Sequence, residues 1–132
     1  MSPQSSGEHK GRVLVVEDDG LVADMIAMLL ARRGYHVVEV AMDGVAALEA
    51  VTRLRPDVVV MDLGMPKMGG VEAALHIQQL APTPIVLLTA YDVPELATLP
   101  AEAGVIACLA KPPNGWDLDH AITGARPVPQ DT

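Results

Sequence analysis

The stretch Val58-Val59-Val60-Met61-Asp62-Leu63-Gly64-Met65-Pro66 decides the fold of this chain and locates much of its chemistry. Residues 58–61 form an unbroken apolar run, mostly β-branched, which is typical of a strand covered on both faces of a sheet. Asp62 follows that run directly and precedes the Met65-Pro66 pair. The stretch therefore predicts a buried strand that ends on a carboxylate.

Similar runs lie on either side of this strand, and helical patterns separate them. The five runs are Val13–Val16, His36–Val40, Val58–Met61, Ile85–Thr89 and Val105–Leu109. The second and fifth are more mixed in polarity, so we expect them nearer the edges of the sheet. Strand–helix units repeated five times predict an α/β fold: a parallel sheet with right-handed crossovers and helices on both faces.

The helical patterns carry start and stop signals. Leu21–Arg33 is predicted as the first helix, with Gly34 as its stop, and Asp43 can N-cap a second helix that ends before Pro56. Three more helices are predicted over Val71–Leu80, Pro94–Ala103 and Trp116–Thr123. A proline inside a helix costs about 3 kcal/mol. Because Pro100 lies within the fourth helix, we expect that helix to be short or irregular, and we also expect a short fifth helix.

Composition narrows the possible classes of protein. A length of 132 residues suits one domain, and 50% apolar content predicts a packed core. The formal net charge of −8 argues against nucleic acid or an anionic membrane surface as a direct partner. The single cysteine excludes an intrachain disulfide and a cysteine-rich zinc site, and it is compatible with a reducing compartment.

Both ends of the chain are mostly polar and are predicted to be tails. We expect residues 1–11 and 125–132 to be flexible and residues 12–124 to form the domain. No apolar run approaches the roughly 18 residues of a membrane span, and residues 1–12 lack the apolar core of a signal peptide. We therefore expect a cytoplasmic protein without a membrane partner.

Charged and hydroxyl side chains follow four of the strands. Glu17-Asp18-Asp19 comes after the first, Asp62 after the third, Thr89 at the end of the fourth, and Lys111 after the fifth. In a doubly wound sheet, ligand sites form at the carboxyl ends of the strands. These side chains are therefore expected to converge at one edge of the sheet.

The expected chemistry follows from the residue types. Two carboxylates about 5 Å apart repel by roughly 3 kcal/mol at an effective dielectric constant near 20, so Glu17, Asp18 and Asp62 favour a bound divalent cation, Mg²⁺. Asp62 is the predicted nucleophile, which attacks phosphorus and forms an acyl phosphate. Lys111 would pair with the phosphoryl oxygens, and Thr89 would hydrogen-bond one of them.

Four segments occur in order, each at the end of a predicted strand: Val15-Val16-Glu17-Asp18, residues 58–66, Leu87-Leu88-Thr89-Ala90 and Leu109-Ala110-Lys111-Pro112. Together they resemble the receiver domain of two-component response regulators (CheY-like), over roughly residues 11 to 124. The resemblance implies a flavodoxin-like, five-stranded sheet in the order 2-1-3-4-5. It also implies a phosphoprotein whose phosphoacceptor is phosphorylated by a sensor histidine kinase or a phosphotransfer protein in a phosphorelay.

The resemblance also assigns site residues. It implies Mg²⁺ binding by Glu17, Asp18, Asp62 and the backbone carbonyl of Gly64. Thr89 matches the switch hydroxyl, and Lys111 matches the phosphate-pairing lysine. Asp19 lies one place beyond the acidic pair and is not assigned to the metal.

Departures from the family's pattern lie mostly on the output side. Cys108 stands where relatives have an aromatic residue that couples to the threonine, and we expect it to be a small buried residue. Tyr91 is an alternative for that aromatic role. Pro100 interrupts the fourth helix, and Pro112-Pro113 replaces the usual proline and aromatic residue. Gly69-Gly70 removes an N-cap expected before the third helix.

The predicted function is a stand-alone receiver that signals through an unidentified downstream protein and assists its own phosphorylation and dephosphorylation without being an enzyme. The alternative is a receiver-like interaction module that acts without phosphorylation. An aspartyl phosphatase is disfavoured because Gly64 stands where such enzymes need a second acid. A dinucleotide enzyme is disfavoured because no G-x-G-x-x-G run follows the first strand. The four histidines show no metal-ligand spacing.

Overall fold

The computed structural model describes residues 10–65, 68–90 and 99–125 of the chain. Five parallel strands form one sheet in the order β2-β1-β3-β4-β5, which confirms the expected order. The strands are β1 (Arg12–Val16), β2 (His36–Ala41), β3 (Val58–Asp62), β4 (Ile85–Thr89) and β5 (Val105–Ala110). As expected from their mixed polarity, β2 and β5 form the two edges.

Helices cover both faces of the sheet. They are α1 (Gly20–Arg32), α2 (Gly44–Leu54), α3 (Gly70–Leu80) and α4 (Gly115–Ala125), and a 3₁₀ turn spans Ala101–Ala103. One apolar core lies between the sheet and α2 and α3, and the other lies between the sheet and α1 and α4. All residues of β3 and β4 are buried, because each central strand packs against both cores.

The ends of the helices follow the polar and glycine signals of the sequence. The Asp19 and Asp43 carboxylates accept hydrogen bonds from the first backbone N–H groups of α1 and α2. Gly34 has a φ of 96°, a left-handed conformation that lets the chain leave α1. Gly69 precedes α3 and provides no side-chain cap, as predicted.

Over its described part, residues 99–103, the predicted fourth helix is reduced to the 3₁₀ turn Ala101–Ala103, in line with the expectation that it is short or irregular. Residues 94–98 of that prediction lie outside the described residues, and so does Tyr91. Pro100 is extended (φ −71°, ψ 144°) and precedes the 3₁₀ turn, in which Ala103 is buried. A proline is compatible with this position because it comes before the turn begins. The last helix, expected to be short, has eleven residues, as do α2 and α3, against thirteen in α1.

The prediction that Cys108 is buried is wrong. Burial alternates along β5, and Ile106, Cys108 and Ala110 are exposed. Cys108 pairs in register with the fully buried Leu87 of β4. The difference arises because β5 is an edge strand, whose side chains are not enclosed as those of the central strands are.

The terminal boundaries lie partly inside the fold. Lys10 donates its backbone N–H to the Gly34 carbonyl (2.7 Å), and His36 donates to the Gly11 carbonyl (2.8 Å). Ala125 is the last residue of α4, and the rest of the two predicted tails lies outside the described residues. Within the described part of the chain, no helix is long and apolar enough to cross a bilayer.

Candidate functional site

The carboxyl ends of four strands bring the predicted site residues to one edge of the sheet. Glu17 follows β1 and donates its backbone N–H to the Ala41 carbonyl at the end of β2 (2.9 Å). Asp62 is the last residue of β3, and Thr89 is the last residue of β4. Lys111 follows β5 and donates its N–H to the Thr89 carbonyl (2.8 Å). Parallel pairing thus fixes the positions of these residues through backbone hydrogen bonds.

Three carboxylates meet at this edge. One oxygen each of Glu17, Asp18 and Asp62 lies within 4.8 Å of the others. Glu17 is 1% exposed and Asp62 is 7% exposed, whereas Asp18 is open to solvent. At 4.8 Å and an effective dielectric constant near 20, two of these charges repel by about 3 kcal/mol. The cluster therefore needs a cation or a proton.

Lys111 supplies one positive charge to the cluster. Its Nζ lies 3.2 Å from Glu17 Oε1 and 3.5 Å from Asp62 Oδ2. Burial alone would lower the pKa of Lys111, but its ion pairs with the Glu17 and Asp62 carboxylates outweigh burial and raise that pKa. Lys111 is therefore held in its charged form between them.

Glu17 is the most buried of the three acids, and its two oxygens have different surroundings. Burial raises the pKa of Glu17, and the charge of Asp62 raises it further, against the opposing effects of the Asp19 N–H and Lys111. Oε2 accepts the hydrogen bond from the Asp19 backbone N–H (3.1 Å). Oε1 is buried and has no hydrogen-bond partner among the described residues, although Lys111 Nζ lies 3.2 Å away as an ion-pair partner.

This donor set fits a hard divalent cation. Mg²⁺ takes oxygen ligands, uses one or two carboxylates and keeps several water ligands. The buried Glu17 Oε1, which lacks a hydrogen-bond partner, and the exposed Asp18 carboxylate offer such ligands beside Asp62. Among the residues that the structure describes, this is the one group of three acidic, histidine or cysteine side chains close enough to share a metal ion.

Asp62 also contacts the loop that follows it. The Gly64 backbone N–H donates to Asp62 Oδ1 (3.3 Å), and the Leu63 N–H donates to the Leu88 carbonyl of β4 (2.8 Å). Thr89, 8% exposed, lies on β4 one residue beyond Leu88, the register partner of Asp62. Gly64 thus lies beside the Asp62 carboxylate, and Thr89 lies one residue beyond the strand position that pairs with Asp62.

Asp19 has a structural role that the sequence analysis missed. Its Oδ1 accepts hydrogen bonds from the Leu21 and Val22 N–H groups (3.0 and 3.2 Å), which makes it the N-cap of α1. The signal was present, because an aspartate directly before an amphipathic pattern is a typical N-cap. Three consecutive acids therefore divide into two cluster members and one helix cap.

The family model of the response regulator receiver domain matches residues 13–123, so the chain belongs to this family of two-component signalling domains. It has the flavodoxin-like fold of these proteins. The response regulator domain of Thermotoga maritima CheB superposes with a TM-score of 0.78 at 27% identity, covering 86% of this chain and 94% of that one. A response regulator receiver domain protein from Clostridium thermocellum superposes equally well, with a TM-score of 0.78 at 29% identity over 86% and 92% of the two chains.

Among curated proteins, the transcriptional regulatory protein PdtaR of Mycobacterium tuberculosis is 40% identical over 111 residues, which cover 84% of this chain and 54% of PdtaR. The protein-glutamate methylesterase/protein-glutamine glutaminase of Halobacterium salinarum is 43% identical over 113 residues, covering 84% of this chain and 32% of that protein. The chain thus spans about half of the first relative and a third of the second. Both relatives are longer than the receiver domain alone.

Proposed function

We propose that this receiver domain accepts a phosphoryl group on Asp62 from a histidine kinase or a phosphotransfer protein. The observation that carries the proposal is the position of Asp62 in a recessed cluster beside Glu17 and Lys111, with Nζ of the lysine 3.5 Å from Asp62 Oδ2. A structural carboxylate has no need of two acidic neighbours. A phosphoacceptor has such a need, because the same groups can bind a cation and an incoming phosphate.

Each residue has a defined part in the proposed reaction. An Asp62 carboxylate oxygen attacks phosphorus and forms an acyl phosphate as the bond between phosphorus and the donor's imidazole nitrogen breaks. The electron pair of that bond leaves with the imidazole, which takes up a proton. Lys111 pairs with a phosphoryl oxygen and offsets the added charge, and the Thr89 hydroxyl donates a hydrogen bond to another oxygen.

We further propose Mg²⁺ as the cofactor. Glu17, Asp18 and Asp62 would hold it, together with the backbone carbonyl of Gly64. Bound there, the ion supplies positive charge to the transferring phosphoryl group. Support comes from the buried Glu17 Oε1, which has no hydrogen-bond partner in the described part of the chain.

The output would be a change in protein interaction. Phosphorylation adds negative charge and strong hydrogen-bond acceptors at one edge of the sheet, which can reorganise nearby elements. The regulator and methylesterase named above carry their receiver-like parts within longer proteins. We propose that this domain likewise acts on a protein partner or on an attached segment, and that its own chemistry is limited to gaining and losing the phosphoryl group.

Phosphorylation with a small donor tests the proposal directly. The chain is incubated with acetyl phosphate and Mg²⁺, and the phosphorylated fraction is measured by intact-protein mass spectrometry. Wild type should be labelled and Asp62→Asn should not. Asp24→Asn is the matched control, since Asp24 is an exposed aspartate of α1. Chelation of Mg²⁺ should abolish labelling. Equal labelling of Asp62→Asn and wild type would contradict the proposal.

The exposed Cys108 favours a second candidate function. Relatives use an aromatic side chain at this position to report phosphorylation, and a small exposed thiol on an edge strand provides no ring to move. A receiver-like module that binds its partner without phosphorylation would keep the same fold. Partner affinity measured with and without beryllofluoride, a phosphate mimic, separates the two candidates. Equal affinities would favour the phosphorylation-independent module.

A further inference from the structure

The first residue of α3 lies unusually close to the backbone that carries Asp62. The Gly70 N–H donates to the Leu63 carbonyl (3.0 Å). A Cβ atom added at Gly70 would lie 2.9 Å from Leu63 Cα and 3.1 Å from the Asp62 carbonyl oxygen. Both neighbours are backbone atoms, which cannot rotate away as the end of a flexible side chain can. Only glycine allows this approach without moving the chain after Asp62.

Neither the conformation of Gly70 nor the helix itself requires glycine. Its φ is not among the positive values found at Gly34 and Gly104. Alanine also favours helix more strongly than glycine does. The neighbouring Gly69 has φ −66° and ψ 165°, and a Cβ there would meet nothing within 4 Å. The close contact is therefore specific to Gly70.

The backbone at Leu63 is held from two sides. The Leu63 N–H bonds to the Leu88 carbonyl of β4 (2.8 Å), and the Leu63 carbonyl accepts the Gly70 N–H. The next residue, Gly64, donates to the Asp62 carboxylate itself (3.3 Å). A shift of Leu63 would consequently move both the Asp62 backbone and the group that orients its side chain.

The far end of the same loop makes a second close contact. A Cβ atom added at Gly44, the first residue of α2, would lie 2.8 Å from Met68 Cβ and 3.2 Å from the Met68 carbonyl oxygen. Gly44 is buried. Two helix starts therefore contact the chain after Asp62 at described positions on either side of residues 66–67, one at Leu63 and one at Met68, each through a glycine.

We propose that Gly70 is a positioning residue for the reaction of Asp62. Because Gly70 has no Cβ atom, the start of α3 can pack directly against the Asp62–Leu63 backbone. This inference rests on the proposed phosphoacceptor function. Gly70 touches neither the phosphoryl group nor the cation. It sets the position of the attacking carboxylate relative to Glu17 and Lys111. Misplacement of a reacting group by about 1 Å can cost up to about 100-fold in rate.

The test compares Gly70→Ala with Gly69→Ala, its matched neighbour. The rate of phosphorylation by acetyl phosphate is measured at saturating Mg²⁺, so that weaker cation binding does not contribute. We expect Gly70→Ala to react about 10-fold more slowly or worse and Gly69→Ala to stay within about twofold of wild type. Backbone amide spectra of the Mg²⁺-free chain supply a readout independent of activity. The Leu63 and Gly64 resonances should shift in Gly70→Ala and remain in place in Gly69→Ala.

Each outcome separates the two proposals. A labelled wild type with an equally fast Gly70→Ala variant, or unchanged Leu63 and Gly64 resonances, overturns the positioning role alone. An unlabelled wild type overturns the phosphoacceptor function and the inference with it. If Gly70→Ala does not fold, Gly44→Ala presses on the same loop through Met68. A slower reaction of that variant with folded amide spectra supports the inference, and an unchanged rate overturns it.

Discussion

Replacing Lys111 with methionine would leave Glu17 and Asp62 facing each other without their positive neighbour. From the 3.2 Å and 3.5 Å separations, each carboxylate is attracted to the lysine by about 5 kcal/mol at an effective dielectric constant near 20. Much of that attraction offsets the cost of burying the charges. Removing one partner from a buried ion pair costs about 3 to 5 kcal/mol. Because the Lys111 side chain is 21% exposed, we expect the lower end, about 3 kcal/mol of unfolding free energy in Mg²⁺-free buffer at pH 7.

Urea denaturation followed by far-UV circular dichroism measures this loss. The double-mutant cycle of Lys111→Met with Asp62→Asn isolates the lysine–aspartate interaction from other effects of each substitution. We expect a coupling free energy of about 2 kcal/mol, because the neutral asparagine removes the repulsion that Lys111→Met exposes. Added Mg²⁺ should restore part of the stability of the Lys111→Met variant, since the ion supplies the missing positive charge.

A parallel cycle of Lys111→Met with Asp24→Asn is the control. Asp24 is exposed on α1, and its substitution should be additive with that of the lysine within about 0.5 kcal/mol. A lysine–aspartate coupling no larger than the coupling in this control would refute the electrostatic account of the site.

Three further predictions concern other parts of the fold. Gln78→Ala removes three hydrogen bonds from α3 to Thr83 and the Ala103 carbonyl and should lower the unfolding free energy by about 2 kcal/mol. The control, Gln79→Ala at an exposed position, should change the unfolding free energy by less than about 0.5 kcal/mol. Equal losses in the two variants would argue against a stabilising role of the Gln78 hydrogen bonds. Partial desolvation raises the pKa of the exposed Cys108 thiol. Labelling of the native protein by iodoacetamide should therefore be slow at pH 7 and accelerate through pH 9. A labelling rate that does not change with pH would contradict this prediction. Burial raises the pKa of Asp119, but hydrogen bonds from Lys10 and Tyr35 outweigh burial and lower that pKa. Asp119→Asn should therefore destabilise the protein at pH 7, and the difference from wild type should shrink as the pH falls below the ordinary aspartate pKa through the lowered one; a pH-independent difference would count against it.

The parallel sheet and the meeting of the site residues could be predicted because both depend on local signals, whereas the strand order was implied by the resemblance to the receiver family. A parallel sheet places every strand's carboxyl end at the same edge, so residues that directly follow strands converge there whatever the loops do. Glu17, Asp62 and Lys111 illustrate this, since each occupies a strand end or the position just after one. The capping role of Asp43 is equally local, because a helix start needs a hydrogen-bond acceptor at that position.

Features that depend on how distant segments pack could not be predicted in the same way. Cys108 is a small residue of a type often buried in strands. Its exposure is set by the place of β5 at the sheet edge and by what packs over that edge. The direction in which the chain leaves β1 decides that Glu17 and Asp18 join the carboxylate cluster and that Asp19 caps α1. The need for glycine at position 70 arises only when α3 meets the loop after Asp62.

The two Glu17 oxygens have different surroundings. Two substitutions can therefore separate metal binding by Oε1 from the hydrogen bond that Oε2 accepts. Oε2 is engaged by the Asp19 N–H, so a metal ion would gain a single oxygen from this side chain. An amide in place of the carboxylate keeps an oxygen that can accept the same backbone hydrogen bond. Glu17→Gln should thus preserve the turn into α1 while it removes the negative charge offered to the cation. A shortened side chain, as in Glu17→Asp, keeps the charge but not the reach. The pair of substitutions can therefore distinguish what holds the loop in place from what holds the ion.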